Sequence, residues 1–165
     1  MMIKSIVLIV MLLLSTLFFD KSNQDVVDKV YHYIHMNFED VPELKLSELN
    51  DLIQNDQVQL LDVRSAEERR VSAISGAISK YEYESGISQL KNKKVVVYCT
   101  IGYRSSKYVQ KLREKGVDAY NLKGSILSWV NSGHSVVNSQ NKAVKRVHVY
   151  SRFLNYLPED YVAEW

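Results

Sequence analysis

Hydrophobic and polar positions divide the chain into stretches of different period. Residues 6–19 are apolar apart from Ser15 and Thr16, with Lys4 before them and Asp20-Lys21 after them. Val26, Val27, Val30, Tyr33 and Ile34 then recur at helical spacing, while Asp25, Asp28 and Lys29 face away. That pattern predicts a connecting helix within residues 20–42, ended by Pro42. From Leu44 onward, short β-branched or apolar runs alternate with helical patterns. Residues 44–46, 58–63, 77–78, 95–98 and 117–122 read as strands. Helices are expected from Ser47, as N-cap, through Leu49, Leu52 and Ile53, and through Ile87 and Leu90. Two more are expected over 105–115, closed by Gly116, and over 124–132, with Ile126, Leu127, Trp129 and Val130 inward. Tyr81 to Glu84 reads as a polar, aromatic loop.

Alternation of strands and helices predicts an α/β fold with a parallel sheet covered on both faces. The nearly continuous apolar character of 58–63 and 95–98 agrees, because strands of such a sheet are buried on both sides.

Composition narrows the function classes. The 165 residues carry a net charge of only +2, with both signs interspersed. That argues against a basic stripe for nucleic acid, and no nucleic-acid partner is expected. A single cysteine excludes an intramolecular disulfide framework and a Cys-cluster metal site. His32 and His35 stand three apart on the expected helix, without a carboxylate or cysteine partner in the pattern, so no metal site is expected.

Residues 1–19 read as a signal anchor or a signal peptide. The span is near the roughly 17–25 residues that a membrane helix needs. Thr16-Leu17-Phe18-Phe19-Asp20 lacks the small residues of a cleavage site, which favours an uncleaved anchor inserted through residues 3–19. Lys4 before the run, with Asp20, Asp25 and Asp28 after it, places the following domain on the outer face of the membrane. Secretion after cleavage is the alternative.

The candidate chemistry sits where the run 95–98 meets the one cysteine, in Cys99-Thr100-Ile101-Gly102-Tyr103-Arg104-Ser105-Ser106. A strand that ends in Cys and turns into a helix lifts the thiol to the carboxyl end of the sheet, where open α/β folds keep their sites. The turn's N–H groups and the helix dipole favour a thiolate. Gly102 permits the tight bend, and Arg104 adds a permanent cation. Taken alone, Cys99 is equally compatible with a structural role on a core strand.

The loop resembles the active-site loop of the rhodanese-like sulfurtransferase family in its Cys-x-x-Gly-x-Arg form. Leu60-Leu61-Asp62-Val63-Arg64 with Glu67-Glu68 is similar to the family's Asp-x-Arg strand end and acidic turn. Ile74-Ser75-Gly76-Ala77 is similar to its Ile-Pro-Gly-Ala segment, and Leu122-Lys123-Gly124-Ser125 with Trp129 to its closing Leu-x-Gly-Gly-x-x-x-Trp. The resemblance covers about residues 44–137. Arg69, Ser72-Ala73, Ser75 and Ser125 depart from it, at positions expected to affect turn geometry rather than sulfur chemistry.

The resemblance implies a five-stranded parallel sheet with helices on both faces, preceded here by the N-terminal hydrophobic helix. It implies a catalytic Cys99 that carries a persulfide. Thr100, Ile101, Gly102, Tyr103, Arg104 and Ser105 would form the substrate- and anion-binding loop. Asp62 would help fix that loop, unless it only caps the following turn, and Arg64 is expected to pair with Glu67 or Glu68. The implied partners are a small sulfur-containing anion or persulfide as donor and a thiol, on a small molecule or a protein, as acceptor; no metal or organic cofactor is required. A non-catalytic membrane-tethered binding or sensing domain is the alternative, and a cysteine phosphatase or arsenate reductase a more distant one, because cysteine phosphatases place one more residue between Cys and Arg. The domain organisation is then 1–19 anchor or signal, 20–43 connecting helix, 44–137 rhodanese-like domain and 138–165 an extension. That extension is rich in aromatic residues (Tyr150, Phe153, Tyr156, Tyr161, Trp165) and is expected to pack back on the domain, with a docking surface as the alternative.

Overall fold

The computed structural model describes residues 22–86 and 93–165. The expected anchor at 1–19 and the expected helix through Ile87 and Leu90 lie outside the described residues. Among the described residues no helix is long and apolar enough to cross a membrane.

Five parallel strands form the central sheet: β1 (Glu43–Leu44), β2 (Val58–Asp62), β3 (Ile78–Ser79), β4 (Lys94–Tyr98) and β5 (Ala119–Leu122), in the order β1-β5-β4-β2-β3. The helices are α1 (Asn23–His35), α2 (Leu46–Gln54), α3 (Ala66–Val71), α4 (Lys80–Glu84), α5 (Tyr103–Glu114) and α6 (Ser125–Asn131). The strand β4 is central, paired with β2 on one side and β5 on the other. Its side chains alternate. Val95 and Val97 join Tyr108, Val109 and Leu112 of α5 in one cluster, while Val96 and Tyr98 join Ile126, Leu127 and Trp129 in the other. The period of two along β4 therefore divides the core into two layers.

The chain crosses from one layer to the other before the sheet begins. In α1, capped by Ser22, Val27 packs into the α6-side cluster. The helix stops at His35, well before Pro42, because the chain turns there and buries Phe38 and Val41 in the α5-side cluster. Two further local expectations are corrected. Lys45, not Ser47, is the N-cap residue of α2, and it makes no side-chain cap bond. Residues 80–84 are helical rather than loop, because Ser79 and Glu82 form a reciprocal capping box.

The extension packs back. Strands β6 (Val136–Val137) and β7 (Ala143–Val144) form an antiparallel pair, and β8 (Arg146–His148) pairs in parallel with β9 (Val162–Glu164). Val147, Val149 and Leu157 are buried in the α6-side cluster. Asn23 of α1 and Asn131 of α6 donate to the carbonyls of Leu157 and Tyr156, both at 2.7 Å.

Candidate active site

The loop after β4 is built so that the thiol faces donors. Gly102 takes φ +126° as the chain turns into α5, and its N–H donates back to Cys99 Sγ, 3.2 Å away. A side chain at Gly102 would strike the Tyr31 ring, whose nearest atom would lie 2.6 Å from an added Cβ. One turn into α5, Ser105 Oγ stands 3.4 Å from the same sulfur. Cys99 is only 2% exposed, whereas Tyr103 at 47% is the loop residue most open to solvent.

Electrostatics at the sulfur oppose one another. Burial pushes the thiol pKa up, but the Ser105 hydroxyl, the Arg104 charge and the N–H groups of Ser105 and Gly102 outweigh it. The net direction is down, towards the thiolate.

Arg104 is itself anchored. Its Nη1 and Nη2 donate to Glu68 Oε2 and Oε1 at 2.7 and 2.6 Å, and Nη2 also donates to Thr100 Oγ1 at 3.0 Å. The same Glu68 carboxylate accepts the Ser65 N–H at 2.9 Å as the N3 member of the α3 capping box. Burial raises the Glu68 pKa, yet Arg104 and Ser65 together bring it down to about 2.

Asp62 caps the turn that follows it, accepting the Arg64 N–H at 3.0 Å, whereas Arg64 departs from expectation. Arg64 pairs with Asp62 rather than with Glu67 or Glu68. Its Nε and Nη2 lie 3.0 and 2.7 Å from the two Asp62 oxygens, and Nη2 reaches the Ser72 carbonyl at 2.7 Å. Both side chains are fully buried, and the Arg64 guanidinium lies 5.5 Å from the centre of the Tyr98 ring. The pair locks the turn beneath β4 and makes no bond to the Cys99 sulfur. Proximity explains the choice: Asp62 lies two residues away on the same strand end, while Glu68 is occupied by Arg104.

Three supports were not singled out as site residues from the sequence. Buried Asn121 on β5 donates to Tyr31 Oη, the Gly102 carbonyl and Ser106 Oγ, tying α1 to the back of the loop. Its place next to Leu122 in the 117–122 strand pattern, which also holds Asp118, does not single it out. Tyr31 gave no sequence signal beyond its place near an α1 apolar face. Ser125 acts on turn geometry, as its departure from the family pattern implies, and does so through the backbone of Cys99. Its Oγ accepts the Cys99 N–H at 3.1 Å, and it holds φ +53° where a glycine would be unstrained. The first N–H groups of α6, at Ile126 and Leu127, then take the carbonyls of Cys99 and Thr100 at 3.3 and 3.2 Å.

A cleft of about 910 Å³ lies between α3, α4 and the 138–141 turn, and Cys99 does not line it. A smaller cleft of about 180 Å³ borders Arg104, lined also by Lys80, Lys107 and Lys111.

Comparison with known proteins agrees with this geometry. The family described as rhodanese-like domain matches residues 45–132. A tRNA uridine(34) hydroxylase of Ruegeria pomeroyi is 35% identical over 91 residues, which is 49% of this chain and 30% of that protein. The chain thus spans about a third of the length of the curated relatives it matches. Among solved structures, a rhodanese-related protein of Thermoplasma volcanium is 27% identical with a TM-score of 0.51, covering 58% of this chain and 97% of that one. A thiosulfate sulfurtransferase of Pseudomonas aeruginosa shares the fold, with a TM-score of 0.57 at 19% identity over 70% of this chain and 23% of that one.

Proposed function

The chain belongs to the rhodanese-like domain family, and from that premise we propose that it is a sulfurtransferase working through a Cys99 persulfide. The observation that carries the reading is the thiol itself: Cys99 Sγ accepts from Gly102 N–H and Ser105 Oγ, and its pKa is lowered despite burial. The Cys99 thiolate attacks the outer, sulfane sulfur of a donor such as thiosulfate, a persulfide or a polysulfide. A new S–S bond forms, the donor's own S–S bond breaks, and its remainder leaves with the electron pair, as sulfite when the donor is thiosulfate. An acceptor thiolate then attacks the outer sulfur, and Cys99 departs as thiolate. Two displacements predict ping-pong kinetics. The loop from Thr100 to Ser105 cradles the persulfide, and Arg104 assists an anionic donor.

The likeness to tRNA uridine(34) hydroxylases extends over about a third of their length, so only the domain and its cysteine loop are carried over from them. Residues 1–19 act as the anchor and set the domain on the outer face of the membrane. The apolar run, with Lys4 before it and acidic residues after it, supports this. Protease digestion of intact cells tests it: a domain removed from outside agrees, and a domain protected until lysis overturns it.

The catalytic reading is tested by intact-protein mass spectrometry after thiosulfate or polysulfide treatment, with Cys99→Ser alongside. Gain of one sulfur by the wild type alone, lost on adding cyanide or a thiol, is expected. No gain from any donor by a chain whose thiol is reactive overturns it.

A further inference from the structure

The family match ends at residue 132, yet Arg104 lies over the ring of a residue well beyond it. The Tyr150 ring lies 4.8 Å from the Arg104 guanidinium carbon. Tyr150 is 62% exposed, so its own burial does not hold it there. The backbone does. Val149 just before it is fully buried and donates its N–H to the Glu164 carbonyl of β9 at 2.7 Å. Tyr150 takes φ +68°, in the left-handed region that bulky side chains rarely adopt, and donates its own N–H to His148 Nδ1 at 3.1 Å. The strand β8 that leads into it lies against α3, the helix that carries Glu68. One helix therefore supplies the carboxylate at the edge of the Arg104 guanidinium and supports the strand that brings a ring against it. A guanidinium is a plane with donors around its edge and a face that stacks. Glu68 and Thr100 take the two Nη groups, and Nε has no partner among the described residues.

We propose that Tyr150 is a positioning residue for Arg104, and that the C-terminal extension thereby completes the active site. Ring and carboxylate together hold the guanidinium in one plane beside the Cys99 loop, with the Nε edge left for a small anionic donor. The donor's identity rests on the sulfurtransferase reading; the effect on the thiol does not. The charged and titratable groups set around that thiol are Arg104, Glu68 beyond it and Tyr31 from α1.

The full-length chain is compared with Tyr150→Gly, which removes the ring and suits a positive φ, and Tyr150→Phe, which keeps the ring. Expected for Tyr150→Gly is an unchanged melting temperature, a thiosulfate KM raised about two- to fivefold with kcat nearly kept, and a pH midpoint for iodoacetamide alkylation of Cys99 moved upward. Tyr150→Phe should match the wild type in all three. A Tyr150→Gly variant with wild-type KM and alkylation midpoint overturns the proposal, as does a Tyr150→Phe variant as impaired as Tyr150→Gly. A shifted alkylation midpoint in a protein that accepts no sulfur from any donor leaves the positioning role standing and removes the sulfurtransferase reading.

Discussion

Arg104 and Glu68, thirty-six positions apart, meet through two parallel bonds of 2.7 and 2.6 Å. The cation of the cysteine loop is therefore neutralised in part at its edge, by a carboxylate whose other task is to cap α3. This links the capping of a helix to the charge felt by a thiol.

Replacing Glu68 by Gln should leave Arg104 less compensated, lower the alkylation midpoint of Cys99 further, and destabilise the fold by about 2 kcal/mol. In the wild type the Glu68 pKa is depressed from 4.5 to about 2. A depressed carboxyl pKa contributes stability above its unfolded value, so this contribution is complete above about pH 4.5 and is lost as pH falls through about 2. Denaturant melts between pH 6 and pH 2 should show a steeper acid loss for the wild type than for Glu68→Gln. Parallel curves would remove Glu68 from the acid response.

Arg104→Ala should raise the alkylation midpoint of Cys99 and the KM for thiosulfate, and it also strands a buried Glu68 carboxylate. Arg104→Lys keeps the charge but not the two-pronged bond, so it should fall between the two. Unchanged kinetics in Arg104→Ala would end its role in donor binding.

Gly102→Ala should cost about 1–3 kcal/mol, because the new methyl meets the Tyr31 ring at 2.6 Å while φ stays at +126°. The steric part should be recovered in a Gly102→Ala/Tyr31→Ala double variant. Chemical denaturation of the four proteins measures that coupling, and strict additivity would show that Tyr31 does not press on the loop.

Ser125 separates a hydrogen bond from backbone strain. Ser125→Ala loses the bond from Cys99 N–H and keeps φ +53°, so a loss of about 1–2 kcal/mol is expected. Ser125→Gly loses the same bond but relaxes the backbone, and should stay nearer the wild type. Equal destabilisation in both variants would assign the whole effect to the bond.

Much of this was readable along the chain. The apolar run into Cys99, Gly102 in the bend and the alternation of strands with helices are local features, written in neighbouring residues. The capping box at Ser65 and Glu68 is also local, but the stretch reads along the chain only as an acidic turn after the Asp62-Val63-Arg64 strand end, and the structure makes it the start of α3. Pairings across the fold were not readable. Arg64 had Asp62, Glu67 and Glu68 all within reach in sequence, and only the packing of α3 against the cysteine loop assigns Glu68 to Arg104 and leaves Asp62 to Arg64.

By itself, then, the sequence determined the α/β architecture, the strand that carries the cysteine and the loop chemistry around it, because backbone periodicity and turn geometry depend on residues a few positions apart. Only the tertiary structure decided that Tyr31 and Asn121 brace the loop from behind, that Ser125 holds its start, and that the Tyr150 ring lies beside Arg104. Those contacts join segments far apart in the chain, and their positions follow from how the sheet's two faces are filled rather than from any pattern within the segments themselves.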